Sequence, residues 1–242
     1  MLKTENRPIG VFDSGVGGLS CVPAIAKALP NETIIYFGDT ARAPYGSRDP
    51  KEITEFSIDV AQKLIDMGCK SLSIACNTIT AVALDELKKR FDIPIIGIIG
   101  PAIEKANSEY PGKRIGLIAT QATVNSGAYP FKAKATPDFV PYIEKDGKVP
   151  DEVIKKNLDE FTKDLDALIL GCTHYPFIKD DIKRLYPSLS IIDPAEALAQ
   201  KTKLVLSENN LLSSEKLGEN KYISSSKSQV FDEIVRRIEC TI

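Results

Sequence analysis

Two cysteines stand in matching settings. Ser71-Leu-Ser-Ile-Ala-Cys76-Asn-Thr and Ala167-Leu-Ile-Leu-Gly-Cys172-Thr-His are each an apolar run of strand length that ends in Cys and passes into polar residues expected to open a helix. Ile9-Gly-Val-Phe-Asp13-Ser14 ends in a carboxylate and a hydroxyl, and Ile115-Gly-Leu-Ile-Ala-Thr120 in a hydroxyl. In open parallel sheets, ligands bind beyond the carboxyl ends of the strands. That rule gathers Asp13, Ser14, Cys76, Asn77, Thr78, Thr120, Cys172, Thr173 and His174. Their hydroxyls and amide, with the free N–H groups of the following helices, suit a bound carboxylate. A thiol set just before a helix is expected to have its pKa lowered below ~8.5 by the positive end of the helix dipole.

Facing thiols answer one chemical demand directly. Inverting a carbon stereocentre by proton transfer needs a base on one face and an acid on the other, with the roles exchanged in the reverse direction. Two groups of one kind serve both directions, and Asp13 and His174 are available to hold or receive their protons. A single strand-end Cys is most often a small buried hydrophobe; two in matched contexts reverse that expectation. Cys21, Cys69 and Cys240 lack such company and read as structural. The chain has 5 cysteines without any C-x-x-C pair, which argues against a disulfide framework or a zinc site. Asp13 alone would read as a helix cap, the lone His174 as a group satisfying a backbone carbonyl, and Pro44-Tyr45-Gly46 as a turn. Phe12-Asp-Ser-Gly-Val-Gly-Gly18 matches neither the dinucleotide fingerprint nor the P-loop, so nucleotide binding finds little support.

The elements that would carry these residues alternate along the chain. Strands are predicted over 9–13, 34–39, 71–76 and 94–99, with amphipathic helices over 19–29, 50–67 and 78–91; Asp49 and Pro50 supply a start signal for the second helix. The rhythm repeats with strands over 114–120, 167–172 and 190–193 and helices near 151–164, 177–185 and 195–206. Such βαβ alternation implies an α/β fold of mainly parallel sheets with helices on both faces. The correspondence of the two halves implies two pseudo-symmetric, doubly wound lobes with the site in the cleft between them. Residues 1–96 with 208–242 form the first lobe and 97–207 the second. A polar loop over 209–220 leads to a last strand, 221–225, and helix, 229–239, which return to the first lobe.

Composition narrows the partners. With 31 Lys and Arg against 33 Asp and Glu the net charge is −2, so no basic excess points to nucleic acid or an anionic membrane. No apolar run approaches the ~18 residues that cross a bilayer, and the polar stretch Met1–Pro8 is unlike a secretory signal. A cytoplasmic protein with reduced thiols is expected.

At these same residues the sequence resembles the glutamate racemases of the cofactor-independent aspartate/glutamate racemase superfamily. The likeness runs from about Ile9 to Ala199. It rests on Phe12-Asp-Ser-Gly-Val-Gly-Gly18, Gly38-Asp39 leading into Pro44-Tyr-Gly46, Ala75-Cys-Asn-Thr78, Ala119-Thr120 with Thr123 and Ser126-Gly-Ala-Tyr129, Phe139-Val-Pro141 before Glu144, and Gly171-Cys-Thr-His-Tyr-Pro176. Cys-Thr-His in the last block points to the glutamate branch. The resemblance implies that Cys76 removes the α-proton of D-glutamate and Cys172 that of L-glutamate, assisted by Asp13 and His174 respectively. By the same resemblance Glu144 would be a further acidic residue near the second thiol. Ser14, Pro44, Tyr45, Gly46, Asn77, Thr78, Thr120, Thr123 and Thr173 would hold the substrate together with Asp13 and His174. It also implies a homodimer without pyridoxal phosphate or metal, whose D-glutamate feeds peptidoglycan synthesis. The chain departs from the family pattern at Ile79, Gly100 and Thr136. An aspartate or broad-specificity amino-acid racemase, or an inactive two-lobed amino-acid-binding protein, are the alternatives.

Overall fold

A computed structural model describes residues 4–240. Residues 1–3, part of the polar amino-terminal stretch, and 241–242 lie outside the described residues. The first sheet is built on β1 (Ile9–Asp13), β2 (Ile34–Gly38), β3 (Ser71–Ile74) and β4 (Ile95–Gly97), the second on β5 (Ile115–Ala119), β6 (Lys132–Ala135), β7 (Ala167–Gly171) and β8 (Ser190–Ile192). Every pairing is parallel. The strand orders are β2-β1-β3-β4 and β6-β5-β7-β8, so both sheets are wound in one pattern. The chain leaves β1 and β5 sideways and returns to their other flank. This opens a crevice at the carboxyl ends of β1 and β3 in one sheet, and of β5 and β7 in the other.

The carboxy-terminal segment adds a fifth strand to the first sheet. β9 (Lys221–Ser224) joins the outer edge of β2, pairing Ile35 with Lys221 through Gly38 with Ser224. The polar segment before it is irregular.

The helices follow the amphipathic pattern, with differences that have local causes. A 3-10 turn, Gly17–Cys21, precedes α1 (Val22–Ala28), dividing what reads as one helix over 19–29. α2 (Pro50–Asp66) starts as predicted, with Asp49 accepting from the Lys51 N–H at 2.8 Å. α3 (Asn77–Arg90) begins directly after Cys76. The apolar run 94–99 reads as one strand, yet β4 stops at Gly97 and α4 (Ile99–Glu109) takes over within the run. α5 (Gln121–Ser126) and α6 (Phe139–Asp146) are short and end on Gly127 and Gly147 in the left-handed conformation. α7 (Asp151–Thr162), α8 (Lys179–Leu185), α9 (Ala195–Glu208) and α10 (Gln229–Glu239) complete the order. Among the described residues no helix is long and apolar enough to cross a membrane.

One core cluster joins the two sheets: Val11 and Ile96 from the first and Leu117 and Ile169 from the second share it with Ile25 of α1 and Leu198 of α9. Although α9 follows β8 in the chain, it packs on the first sheet, where Thr202 Oγ1 lies 2.9 Å from Ser73 Oγ on β3. At the opposite end of that sheet, Lys70 Nζ and Glu32 Oε2 form a buried ion pair at 2.6 Å. Ser213, from the returning segment, donates its N–H to Glu32 Oε1 at 2.8 Å and accepts from Lys70 Nζ at 3.0 Å. Replacing Lys70 with Met strands the Glu32 carboxylate in the interior. Equilibrium unfolding is expected to show a loss of about 3–5 kcal/mol; a loss below about 1 kcal/mol would show that the pair does not hold the return in place.

Candidate active site

Asp13 is the last residue of β1 and fully buried. Its Oδ2 accepts from the Gly15 N–H at 2.9 Å, so the carboxylate shapes its own turn, and its Oδ1 accepts from Thr173 Oγ1 at 3.1 Å, across from the other sheet. Burial pushes this carboxyl above the usual range, opposed by the His174 charge and by the Gly15 and Thr173 donors. The turn after Asp13 packs tightly against the second sheet's residues. A Cβ on Gly17 would lie 2.5 Å from Thr173 Oγ1 and 2.6 Å from His174 Nδ1, and only glycine fits there.

Cys76 caps α3, its Sγ accepting from the Ile79 N–H at 3.5 Å, and its thiol donates to Ser14 Oγ at 3.5 Å. The expected lowering of its pKa by the helix does not occur. Burial, then the neighbouring Asp13 charge, push the Cys76 thiol up to about 12 against the Ile79 and Ser14 hydrogen bonds. A helix N-terminus is worth ~0.3–1 kcal/mol, less than one pKa unit, whereas burial moves a group by as much as ~3–5 units.

Cys172 follows β7 but does not cap an α-helix; a 3-10 turn, Tyr175–Ile178, comes first, and α8 starts only at Lys179. Its Sγ lies 3.8 Å from His174 Nδ1, and His174 Nε2 lies 3.0 Å from Glu144 Oε1 on α6. Burial favours the neutral imidazole, but the Cys172 sulfur, the Glu144 carboxylate and the Asp13 charge outweigh it, and the His174 pKa is raised to about 10.

The two cysteines line one cavity of about 370 Å³, within the usual range for a small-molecule site. Of the residues singled out in the sequence, Ser14, Pro44, Tyr45, Gly46, Cys76, Asn77, Thr78, Thr120, Glu144, Cys172, Thr173 and His174 form its wall. Asp13 lies behind the wall, and Thr123 is held behind Thr120 by hydroxyl contacts of 3.0 Å to Thr120 and 3.5 Å to Thr78. Thr78 and Thr120 meet at 2.9 Å and so join the helices that open from the two sheets. Asn77 Oδ1 accepts from Tyr129 OH at 2.7 Å, while its buried Nδ2 has no partner. That leaves a donor for a ligand oxygen. A larger open depression of about 790 Å³ lies between α1, α4 and α9, but none of the strand-end residues line it.

Sequence reasoning passed over Tyr175, Gln121, Pro137 and Val140, which also line the cavity. Tyr175, next to His174, and Gln121, next to Thr120, gave positional signals; Pro137 comes after the edge strand β6 and Val140 lies in the short helix α6, neither with a strong pattern. Of the cysteines read as structural, Cys21 and Cys69 are buried but Cys240 is exposed, so packing does not account for it. Ile79 is buried in the core under α3, Gly100 has open space around it, and Thr136 is buried against the Tyr175 hydroxyl at 2.7 Å. Among the described residues no group of three His, Cys, Asp or Glu side chains converges to hold a metal ion.

Twin parallel sheets wound alike, with a thiol beyond the third strand of each and both thiols on one cavity, define an α/β protein with a candidate site shared by its two sheets. The chain belongs to the Asp/Glu/Hydantoin racemase family, which it matches over residues 9–202. It is 40% identical to the glutamate racemase of Thermus thermophilus, covering 98% of this chain and 94% of that protein. The crystal structure of that organism's glutamate racemase with beta-chloro-D-alanine superposes with a TM-score of 0.87 at 40% identity, over 98% of this chain and 94% of the other. The Francisella tularensis glutamate racemase with D-glutamate superposes with a TM-score of 0.89 at 36% identity, over 97% and 94% of the two chains.

The chain holds a single histidine, so one imidazole resonance reports this site. A folded pKa of about 10, above the ordinary ~6.5, means that the charged ring stabilises the fold fully below pH ~6.5 and that this contribution fades as pH rises through about 10. NMR titration should place the His174 midpoint well above 6.5, and Glu144→Gln should lower it. A midpoint at or below 6.5 in the unmodified protein would contradict this electrostatic description.

Proposed function

We propose that this protein interconverts L- and D-glutamate by two-base proton transfer at the α-carbon, with Cys76 and Cys172 as the proton-transfer groups. The observation that carries the reading is the placement of both thiols on one cavity, each beyond the third strand of its own sheet. One sulfur, as thiolate, takes the α-proton: the Cα–H bond breaks, an S–H bond forms, and the electron pair stays on the substrate as a carbanion. The other thiol gives its proton to the opposite face, its S–H electrons remaining on sulfur. The reverse reaction exchanges the two roles. In this reading Cys76 acts on D-glutamate and Cys172 on L-glutamate.

The surrounding groups fit these roles. A thiol with its pKa raised to about 12 is protonated near neutral pH and has a hydrogen to give. To act as a base it must ionise, and the ammonium of a bound amino acid, as an adjacent positive charge, favours that form. His174, 3.8 Å from Cys172 Sγ, would exchange the proton of that sulfur, with Glu144 holding the ring. Asp13 would act on Cys76 through its charge and on the opposite wall through Thr173. Ser14, the Pro44-Tyr45-Gly46 segment, Asn77, Thr78, Thr120, Thr123 and Thr173 would bind the carboxylates and the ammonium, Asn77 Nδ2 being the unpaired donor. The lobes 1–96 with 208–242 and 97–207 would enclose the substrate. By the same reading the protein is a cytoplasmic homodimer, needs neither pyridoxal phosphate nor metal, and supplies D-glutamate for peptidoglycan synthesis.

Polarimetry on the purified protein should show racemisation with kcat/KM higher for glutamate than for aspartate; the opposite order would identify an aspartate racemase, and binding without turnover an amino-acid-binding protein. Cys76→Ala and Cys172→Ala should each lower racemisation by ~10²–10⁴-fold with an unchanged far-UV spectrum. Full turnover in both directions by either variant would exclude the two-base assignment.

A further inference from the structure

The segment between β2 and α2 carries Pro44, Tyr45 and Gly46 into the cavity wall, and it is held by an array of side chains that do not themselves line the cavity. Tyr45 is buried, and its hydroxyl donates to Asp39 Oδ2. Burial and the Asp39 acceptor raise the phenol pKa, so this donor keeps its proton. The same carboxylate oxygen accepts from Arg42 Nε at 2.5 Å, while Arg42 Nη1 reaches Asp59 Oδ2 on α2 at 2.9 Å. The Arg42 guanidinium lies over the Phe56 ring at 4.3 Å, and that ring packs against Tyr45 with centroids 5.6 Å apart. The Arg42 carbonyl accepts from Arg48 Nε at 2.9 Å, which closes the turn.

The far side of the segment is equally fixed. Gly46 O accepts from the Ala122 N–H of α5 at 3.1 Å, and a Cβ on Gly46 would come within 2.8 Å of Thr120 Cβ. A displacement of Tyr45 or Gly46 is therefore passed to Thr120, and through its 2.9 Å hydroxyl contact to Thr78.

We propose that Arg42 is a positioning residue: by holding Asp39 against Tyr45 while braced on Asp59 and Phe56, it sets the Pro44–Gly46 wall on the substrate. The inference rests on the racemase reading for its assay. The residue type follows from the geometry, since one planar guanidinium both forks between two carboxylates and stacks on a ring, which an ammonium does not do. Asp39 is buried, and loss of Arg42 leaves its charge with the Tyr45 hydroxyl as the named side-chain partner, so the carboxylate must draw in water or turn away.

The test compares Arg42→Met and Arg42→Lys, alone and combined with Tyr45→Phe. Arg42→Met should raise the KM for glutamate about tenfold while kcat falls less than about threefold, the pattern of lost ground-state and transition-state binding together. In the Tyr45→Phe background the same change should add less than about twofold, because both act through one contact. Arg42→Lys, which keeps the charge, should fall between Arg42→Met and the unmodified protein, and serves if Arg42→Met does not fold. Calorimetric titration of D-glutamate in the Cys76→Ala background, where turnover is lost, reads the wall by binding alone and should show weaker binding when whichever Arg42 variant is folded is added. Unchanged KM and binding, or fully additive effects with Tyr45→Phe, would overturn the proposal. Failure of the unmodified protein to racemise glutamate would instead sink the racemase reading, and the calorimetric comparison would still decide the role of Arg42.

Discussion

A buried carboxylate ties this structure together. Asp13 ends the central strand of the first sheet without exposure to solvent, and its two oxygens are shared between its own turn, through Gly15, and the opposite sheet, through Thr173. Taking a carboxylate out of water is costly unless donors and positive charge meet it, and here they come from both halves of the chain. The His174 charge that opposes the effect of burial on Asp13 is sustained in turn by Cys172 and Glu144. The electrostatics of the two walls are thus coupled, and a change in either wall is felt by the other.

The repeated strand order explains why that coupling falls where chemistry is possible. Each sheet changes winding direction between its first and third strands, and the crevice beyond that point receives Asp13 with Cys76 in one half and Thr120 with Cys172 in the other. The halves are not equivalent in detail. Cys76 sits at the start of an α-helix with its thiol held protonated, whereas Cys172 precedes a 3-10 turn and has an imidazole beside it. A symmetric topology thus carries asymmetric thiol surroundings.

Much of this was legible in the chain itself. The Ile- and Leu-rich runs that become β1, β2, β5 and β7 are buried at every position, so their apolar pattern survives in the sequence. The strand-end rule then gathered Ser14, Thr120 and the segments Cys76–Thr78 and Cys172–His174 of the cavity wall, while Pro44, Tyr45, Gly46 and Glu144 came only through the family resemblance. β6 escaped because Lys132-Ala-Lys-Ala135 is a partly exposed edge strand with no apolar run, and α4 because its first residue continues the run of β4. The ionisation of Cys76 was read in the wrong direction: sequence shows the helix start but not the depth of burial, and burial is the larger effect. The contacts Tyr129 to Asn77 and Glu144 to His174 join residues far apart in the chain, and spacing alone does not specify them.

The most direct test of opposed thiols follows the hydrogen itself. The purified protein is given L-glutamate, and in separate reactions D-glutamate, in D₂O, and the reaction is stopped at low conversion. NMR then reads the α-position of each enantiomer. Donors on opposite faces predict that newly formed product carries deuterium at Cα while unconverted substrate retains protium, in both directions. Product that keeps the original protium would mean one group serving both faces, and it would contradict the assignment of Cys76 and Cys172 to opposite sides of the substrate.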